Sequence, residues 1–201
     1  MANVTQLSEL DINGTYTYAD YLTWQLEETL ELIKGKIMLM SPAPNLTHQS
    51  ISWQLGGFFF QYFKNKPCRA FAAPFDVRLY DRRKSVCANT DIYNVVQPDL
   101  CVICDPDKLD TQGCLGAPDW IIEILSKGNT KREMQIKYKL YQESGVKEYW
   151  LVYPYEQAVY QFVLNDELEK YQLHNMYCGD DIATPYLFPD FNLDLKEVFI
   201  E

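Results

Sequence analysis

One segment constrains this chain more than any other. The run Trp120-Ile121-Ile122-Glu123-Ile124-Leu125 is apolar except for a single carboxylate. A second run rich in apolar residues, Lys147-Glu148-Tyr149-Trp150-Leu151-Val152, follows it. Between them Met134, Lys137, Tyr138 and Tyr141 recur at i, i+3, i+4 and i+7, one stripe of a helix. The pattern predicts strands over 120–125 and 147–152, joined by a helix over 129–143 that Ser144-Gly145 closes. Such a strand–helix–strand crossover is right-handed and needs a sheet to lie on.

The remaining sequence supplies that sheet. Thr17 is an N-cap for a helix over 18–30, where Tyr18, Tyr21, Leu22 and Leu26 share a face. Glu31-Leu32-Ile33 and Ile37-Met38-Leu39-Met40 flank Lys34-Gly35-Lys36 as a hairpin, which Ser41-Pro42-Ala43-Pro44 ends. A helix is expected over 48–64, weakened by Gly56-Gly57. Strands are expected over 70–79 and 95–103, with a polar, mobile loop over 81–94. A second hairpin, 158–163 with 168–173, turns at Asn165-Asp166-Glu167, and a short helix closes the chain over 195–199. This order predicts an α/β (α+β) fold with a mixed sheet, in one domain spanning 1–201.

Composition narrows the partners. With 201 residues the chain buries about 70% of its unfolded surface and needs no staple to stay folded. Against 18 basic residues stand 28 acidic ones, a net charge of −10. That argues against broad nonspecific binding to nucleic acid or anionic membranes, while leaving room for a local basic groove. No stretch is long and apolar enough to span a bilayer. The N-terminus lacks the features of a signal peptide, so the six cysteines are expected as reduced thiols in the cytoplasm. Cys101 and Cys104 have the spacing of a metal knuckle, but in a strand they point to opposite faces and no second pair follows.

Two carboxylates look chemical. Asp99 follows Pro98 at the start of an apolar strand, and Glu123 is the charge inside another. A buried carboxylate is costly unless it is paired, protonated or metal-bound. Asp99 as a turn residue and Glu123 as half of an ion pair are the plainer readings. Two carboxylates on neighbouring strands also meet what Mg²⁺ or Mn²⁺ requires, because Mg²⁺ keeps several of its waters. Lys137 sits on the apolar stripe of the following helix, where it either snorkels or points back to Glu123.

The ordered set Gln97-Pro98-Asp99-Leu100, Gly116-Ala117-Pro118-Asp119 with the Trp120 run, Lys137 and Tyr141, then Ser144-Gly145-Val146 with the Lys147 run, resembles the Uma-two family. These are bacterial proteins classed as restriction endonucleases of the PD-(D/E)XK nuclease superfamily. The likeness extends to Glu31-Leu32-Ile33-Lys34-Gly35-Lys36, Ser41-Pro42-Ala43-Pro44, His48 and Pro74-Phe75-Asp76-Val77-Arg78-Leu79. It implies a restriction-endonuclease-like fold with additional terminal hairpins, and a Mg²⁺-dependent endonuclease acting on DNA. It implies Asp99 and Glu123 as metal ligands, Glu31 as a further acidic residue and Lys137 as a catalytic ammonium. His48 and Asp76 match recurrent positions without an assigned role. One position departs from the pattern: the usual lysine two residues after the glutamate is Leu125. A lysine migrated to Lys137 repairs it; otherwise the chain is a degenerate nuclease fold serving as an interaction or assembly module.

Three basic clusters offer places for a phosphate backbone: Lys64, Lys66 and Arg69; Arg82-Arg83-Lys84; and Lys127, Lys131 and Arg132, the last adjoining Glu123. Solvated surface charge is the plainer reading of each. Tyr153, Tyr155, Tyr160, Phe162 and Tyr171 exceed what one hairpin can bury, which predicts a homodimer through that region.

Overall fold

The computed structural model describes residues 3–40, 45–83, 88–128 and 130–200. In chain order it runs α1 (Tyr18–Tyr21), β1 (Leu30–Ile33), β2 (Lys36–Leu39), α2 (Leu46–Phe63), β3 (Arg69–Ala72), β4 (Val77–Leu79), β5 (Asn94–Val96), β6 (Leu100–Ile103), β7 (Leu109–Asp110), β8 (Gly113–Leu115) and β9 (Trp120–Ile124). Then come α3 (Lys131–Ser144), β10 (Glu148–Tyr153), β11 (Ala158–Asn165), β12 (Lys170–Cys178), β13 (Ile182–Ala183), β14 (Leu193–Asp194) and α4 (Leu195–Val198).

Among the described residues there are two six-stranded sheets and one small ladder, β13-β14. One sheet runs β2-β1-β5-β4-β8-β7, the other β12-β11-β10-β9-β6-β3. The expected crossover is the centre of the second sheet: β9 and β10 pair in parallel, joined by α3. Thr130 caps α3 through Glu133, and Gly145 ends it at φ 88°, a conformation that glycine adopts without penalty.

Two expected strands break, each near a proline. The strand expected over 70–79 separates into β3 and β4, and that over 95–103 into β5 and β6. Pro74 and Pro98 cannot donate a ladder bond, and at each break the chain leaves one sheet for the other. Asp76 and Asp99 therefore lie in the seams between the sheets. The helix expected over 18–30 is also corrected: it stops after Tyr21. Val4 pairs with Thr23 and Gln25 through backbone hydrogen bonds, and Trp24 packs on Tyr16 and Tyr21, so this stretch is held extended. The first hairpin forms as expected, with Lys34 and Gly35 both at positive φ, as a two-residue turn of this hand requires. Residues 41–44 and 84–87 lie outside the described residues, so the expected end of that hairpin and the middle of the 81–94 loop are not placed.

Strand alternation divides the core. Leu100, Val102, Trp120, Ile122 and Ile124 face Ile51, Leu55, Phe59 and Phe63 of α2 and the Leu195–Val198 helix. Cys101, Ile103, Ile121, Tyr149 and Leu151 face Leu140 and Tyr141 of α3 and the first sheet. Each large side chain so buried contributes about 1.5–3 kcal/mol.

The expectation of reduced thiols throughout is corrected by a disulfide. Cys68 and Cys104 continue the β3–β6 register, in which Arg69 faces Ile103. This puts their Cα atoms 3.9 Å apart, bonded through sulfur. Cys101 is buried on the opposite face as a free thiol. The aromatic excess expected after the crossover is mostly absorbed. Phe162 and Tyr171 pack on Tyr138 and Tyr149, and Tyr153 lies on Tyr160, because the hairpin extends a large sheet rather than standing alone. Of the five, Tyr155 is the exposed one, so these side chains give a homodimer little motive.

Candidate active site

Glu123 projects from the fourth position of β9 toward α3. Lys137 and Tyr141, one helical turn apart, reach it together. The Lys137 Nζ donates at 3.0 Å and the Tyr141 hydroxyl at 2.5 Å, both to Oε1. The same ammonium donates to Glu31 Oε1 at 2.9 Å. Glu31 stands on β1, in the other sheet, and also accepts the backbone N–H of Gln97 at 3.0 Å. One half-buried lysine thus clamps the two sheets through two buried carboxylates.

Asp99 extends β6 by one residue. Leu100 faces Ile122 in the antiparallel β6–β9 pair, so Asp99 falls opposite Glu123. Directly opposed residues share a sheet face at close range. Asp99 Oδ2 accepts the backbone N–H of Ile124 at 2.7 Å, and Oδ1 lies 3.2 Å from His48 Nε2. His48 comes from the first turn of α2, whose cap Asn45 accepts the His48 backbone N–H at 2.9 Å. The other imidazole nitrogen, Nδ1, is buried with no hydrogen-bond partner among the described residues.

Burial and charge explain the titration of the group. Desolvation is the largest influence on Glu123, and the Asp99 and Glu31 charges add to it, so its carboxyl is pushed up to about 7 even though Lys137 and Tyr141 favour the charged form. Burial alone would lower Lys137, but its two carboxylates more than reverse that and hold it fully protonated. Burial would likewise lower His48, and the hydrogen bond and charge of Asp99 raise it above its ordinary value. Three carboxylates therefore share one lysine and one histidine.

Asp99, Glu123, Lys137 and Glu31 are all brought to this place from four elements. Two residues without an assigned role in the sequence reading join them. His48 contacts Asp99. Asp76 accepts from Gln97 Nε2 at 2.8 Å, while the Gln97 backbone holds Glu31. Tyr141 stands in the sequence as a stripe residue and as part of the family resemblance, with no assigned role; its i+4 spacing from Lys137 is the signal for the shared contact. Leu125 still continues the strand, its N–H bonded to Val152 O, and packs on the apolar cluster of Ile121, Tyr149 and Leu151.

The basic clusters fare differently. Arg82 pairs with Asp166 and Glu169, and Arg83 with Asp81. Lys84 is outside the described residues. Lys66 meets Asp190 and the Tyr62 ring, while Arg69 lies over Phe71. Lys127 lies over the Tyr155 ring. No helix among the described residues is long and apolar enough to cross a membrane.

The family model Uma2, described as "Putative restriction endonuclease", matches residues 18–196. A solved structure from Anabaena variabilis ATCC 29413, described as "a putative nuclease belonging to DUF820", is similar in fold with a TM-score of 0.68. It is 22% identical, with 91% of this chain and 97% of that chain covered. At that identity the likeness concerns the fold. None of the curated proteins matches the chain.

Proposed function

The chain belongs to the Uma2 family, described as "Putative restriction endonuclease", and from that premise we propose that it is a divalent-metal-dependent endonuclease hydrolysing phosphodiester bonds of DNA. In this reading Asp99 and Glu123 hold Mg²⁺ or Mn²⁺, with Lys137 and Glu31 beside them.

The excess of buried negative charge carries the reading. Glu31 and Glu123 meet around a single ammonium while Asp99 lies opposite Glu123, and burial first, then the Asp99 and Glu31 charges, push the Glu123 carboxyl up. A hard divalent cation relieves such an excess. The donor set fits one. Asp99 lies opposite Glu123 across the strands, and Glu123 Oε2 accepts no hydrogen bond from the described residues. No group of three or more His, Cys, Asp or Glu among the described residues makes a ready-made cage. Two carboxylates still suffice for an ion that retains its water.

When bound, such an ion activates a water and neutralises charge developing on a phosphate. The protein's own groups do the positioning. Lys137 and Tyr141 fix the Glu123 side chain, His48 and the Ile124 N–H fix Asp99, and the Gln97 N–H fixes Glu31. The Lys137 charge sits where it can stabilise a phosphate placed at Glu123.

A second reading, a scaffold that keeps the fold without turnover, is favoured by Leu125 at the usual lysine position and by Lys137 already committed to two carboxylates. Calorimetric titration with Mn²⁺ and a plasmid-nicking assay separate the two. The endonuclease reading expects wild type to bind the ion and nick DNA, and Glu123→Gln to do neither. Wild type that neither binds nor nicks establishes the scaffold.

A further inference from the structure

We propose that Lys127, held on the Tyr155 ring and followed in the chain by Lys131 and Arg132, docks the phosphate backbone of the nucleic-acid strand beside the phosphate that is cut. The identity of the ligand rests on the endonuclease reading above.

The pair is tied to the site by a closed ring of contacts. The Lys127 Nζ lies 4.6 Å from the Tyr155 ring centroid. The Tyr155 hydroxyl accepts from Asn45 Nδ2 at 3.1 Å, and Asn45 Oδ1 accepts the His48 N–H at 2.9 Å. His48 Nε2 meets Asp99 at 3.2 Å, and Asp99 accepts the Ile124 N–H at 2.7 Å. The chain then returns to Lys127 by way of Leu125 and Ser126. These contacts link the Tyr155 ring, on which this exposed ammonium lies, to Asp99.

Charge accounting gives the ligand its sign. Lys34, Lys66, Arg78, Arg82, Arg83, Lys137 and Lys147 each meet a carboxylate. Lys127, Lys131 and Arg132 are among the described basic residues without an ion-pair partner, as Lys64, Arg69, Lys139 and Lys170 also are, and of these they follow Glu123 most closely in the chain. Lys131 and Arg132 also occupy the first turn of α3, the end whose dipole disfavours cations, so helix stability does not account for them. An aromatic face leaves the Lys127 ammonium attracted but not neutralised, free to meet a phosphate oxygen. An exposed cation patch adjoining a carboxylate site suits a polyanion whose next phosphates must be held while one enters. Backbone contacts of this kind position a strand without reading its sequence.

The test is fluorescence anisotropy with a short labelled DNA duplex in EDTA, so that binding is read without cleavage. Lys127→Ala should weaken binding equally for unrelated sequences and reduce the log–log salt slope by about one. Lys127→Arg, which keeps the charge and the ring contact, should restore the slope. Tyr155→Leu should weaken binding at low salt without abolishing it. A Lys127→Ala protein with wild-type affinity and slope overturns the proposal, as does a wild type that binds no duplex at low salt. Nicking with Mn²⁺ keeps the two readings apart. Binding that depends on Lys127 in a wild type that never nicks overturns the endonuclease reading and leaves the dock standing. Nicking by wild type and Lys127→Ala with equal KM overturns the dock alone.

Discussion

The Lys137 ammonium meets the Glu123 carboxylate at 3.0 Å, joining a helix to the strand that precedes it. Because it also meets Glu31, its removal leaves two buried carboxylates without their shared cation. Lys137→Met should lower stability by about 3 kcal/mol in metal-free buffer, the scale for breaking a buried pair from one side. It should bind Mn²⁺ more tightly than wild type, since the ammonium no longer competes for the same oxygens. Urea denaturation and calorimetry read both effects. Unchanged or weaker Mn²⁺ binding would show that the ion does not use this pair.

Glu123 also sets a pH dependence. Its carboxyl titrates near 4.5 when unfolded and is pushed up to about 7 in the fold. Between those values the folded state holds more protons than the unfolded one, so stability is full below about 4.5 and is lost as pH rises through 7. The slope for one proton is at most about 1.4 kcal/mol per pH unit. His48, also raised, adds a loss of the same sign above its unfolded value of 6.5. The stability of wild type minus that of Glu123→Gln cancels groups the two proteins share. That difference should fall steadily from pH 4.5 to 7 in EDTA; parallel curves would refute the assignment.

A different buried carboxylate should prove purely architectural. Glu148 is fully buried and accepts from Trp150 Nε1, Gln161 Nε2 and the backbone N–H groups of Tyr186 and Leu187. It fastens the segment before β14 to the sheet. Glu148→Ala strands four donors and should cost at least about 3 kcal/mol. Thermal melts read the loss. Calorimetry at a temperature where the variant remains folded should return wild-type Mn²⁺ affinity.

What the sequence made legible was local. The crossover could be read because its periods are strong, and Glu123 and Lys137 stood out as charges in apolar surroundings. Beyond its β1–β2 hairpin the first sheet could not be read, because β7 and β8 span two and three residues and carry no period. The breaks near Pro74 and Pro98 were hidden, since the apolar pattern resumes beyond each proline while the chain changes sheet. Contacts such as Glu31 with Lys137, 106 residues apart, depend on that change. The Gln97 and His48 contacts have no local signature at all, because a backbone N–H and one imidazole gain their partners only from tertiary placement.

Leu125 offers a direct test of whether a lysine has moved. Its N–H bonds Val152 O, so the strand continues past Glu123 and positions 123 and 125 share a face. Lys137 approaches Glu123 from the helix instead. If the two routes deliver equivalent charge, Lys137→Met should reduce nicking by roughly a hundredfold, the scale for one electrostatic stabiliser. Adding Leu125→Lys to that variant should then recover about tenfold of the loss, less than the whole because the new side chain must desolvate among apolar neighbours. Leu125→Lys alone should be less stable than wild type by about 1–3 kcal/mol for the same reason. Nicking rates of the four proteins under one Mn²⁺ concentration decide the matter. A double variant as inactive as Lys137→Met means that the helix-borne ammonium does something a strand lysine cannot, namely holding Glu31 and Glu123 together.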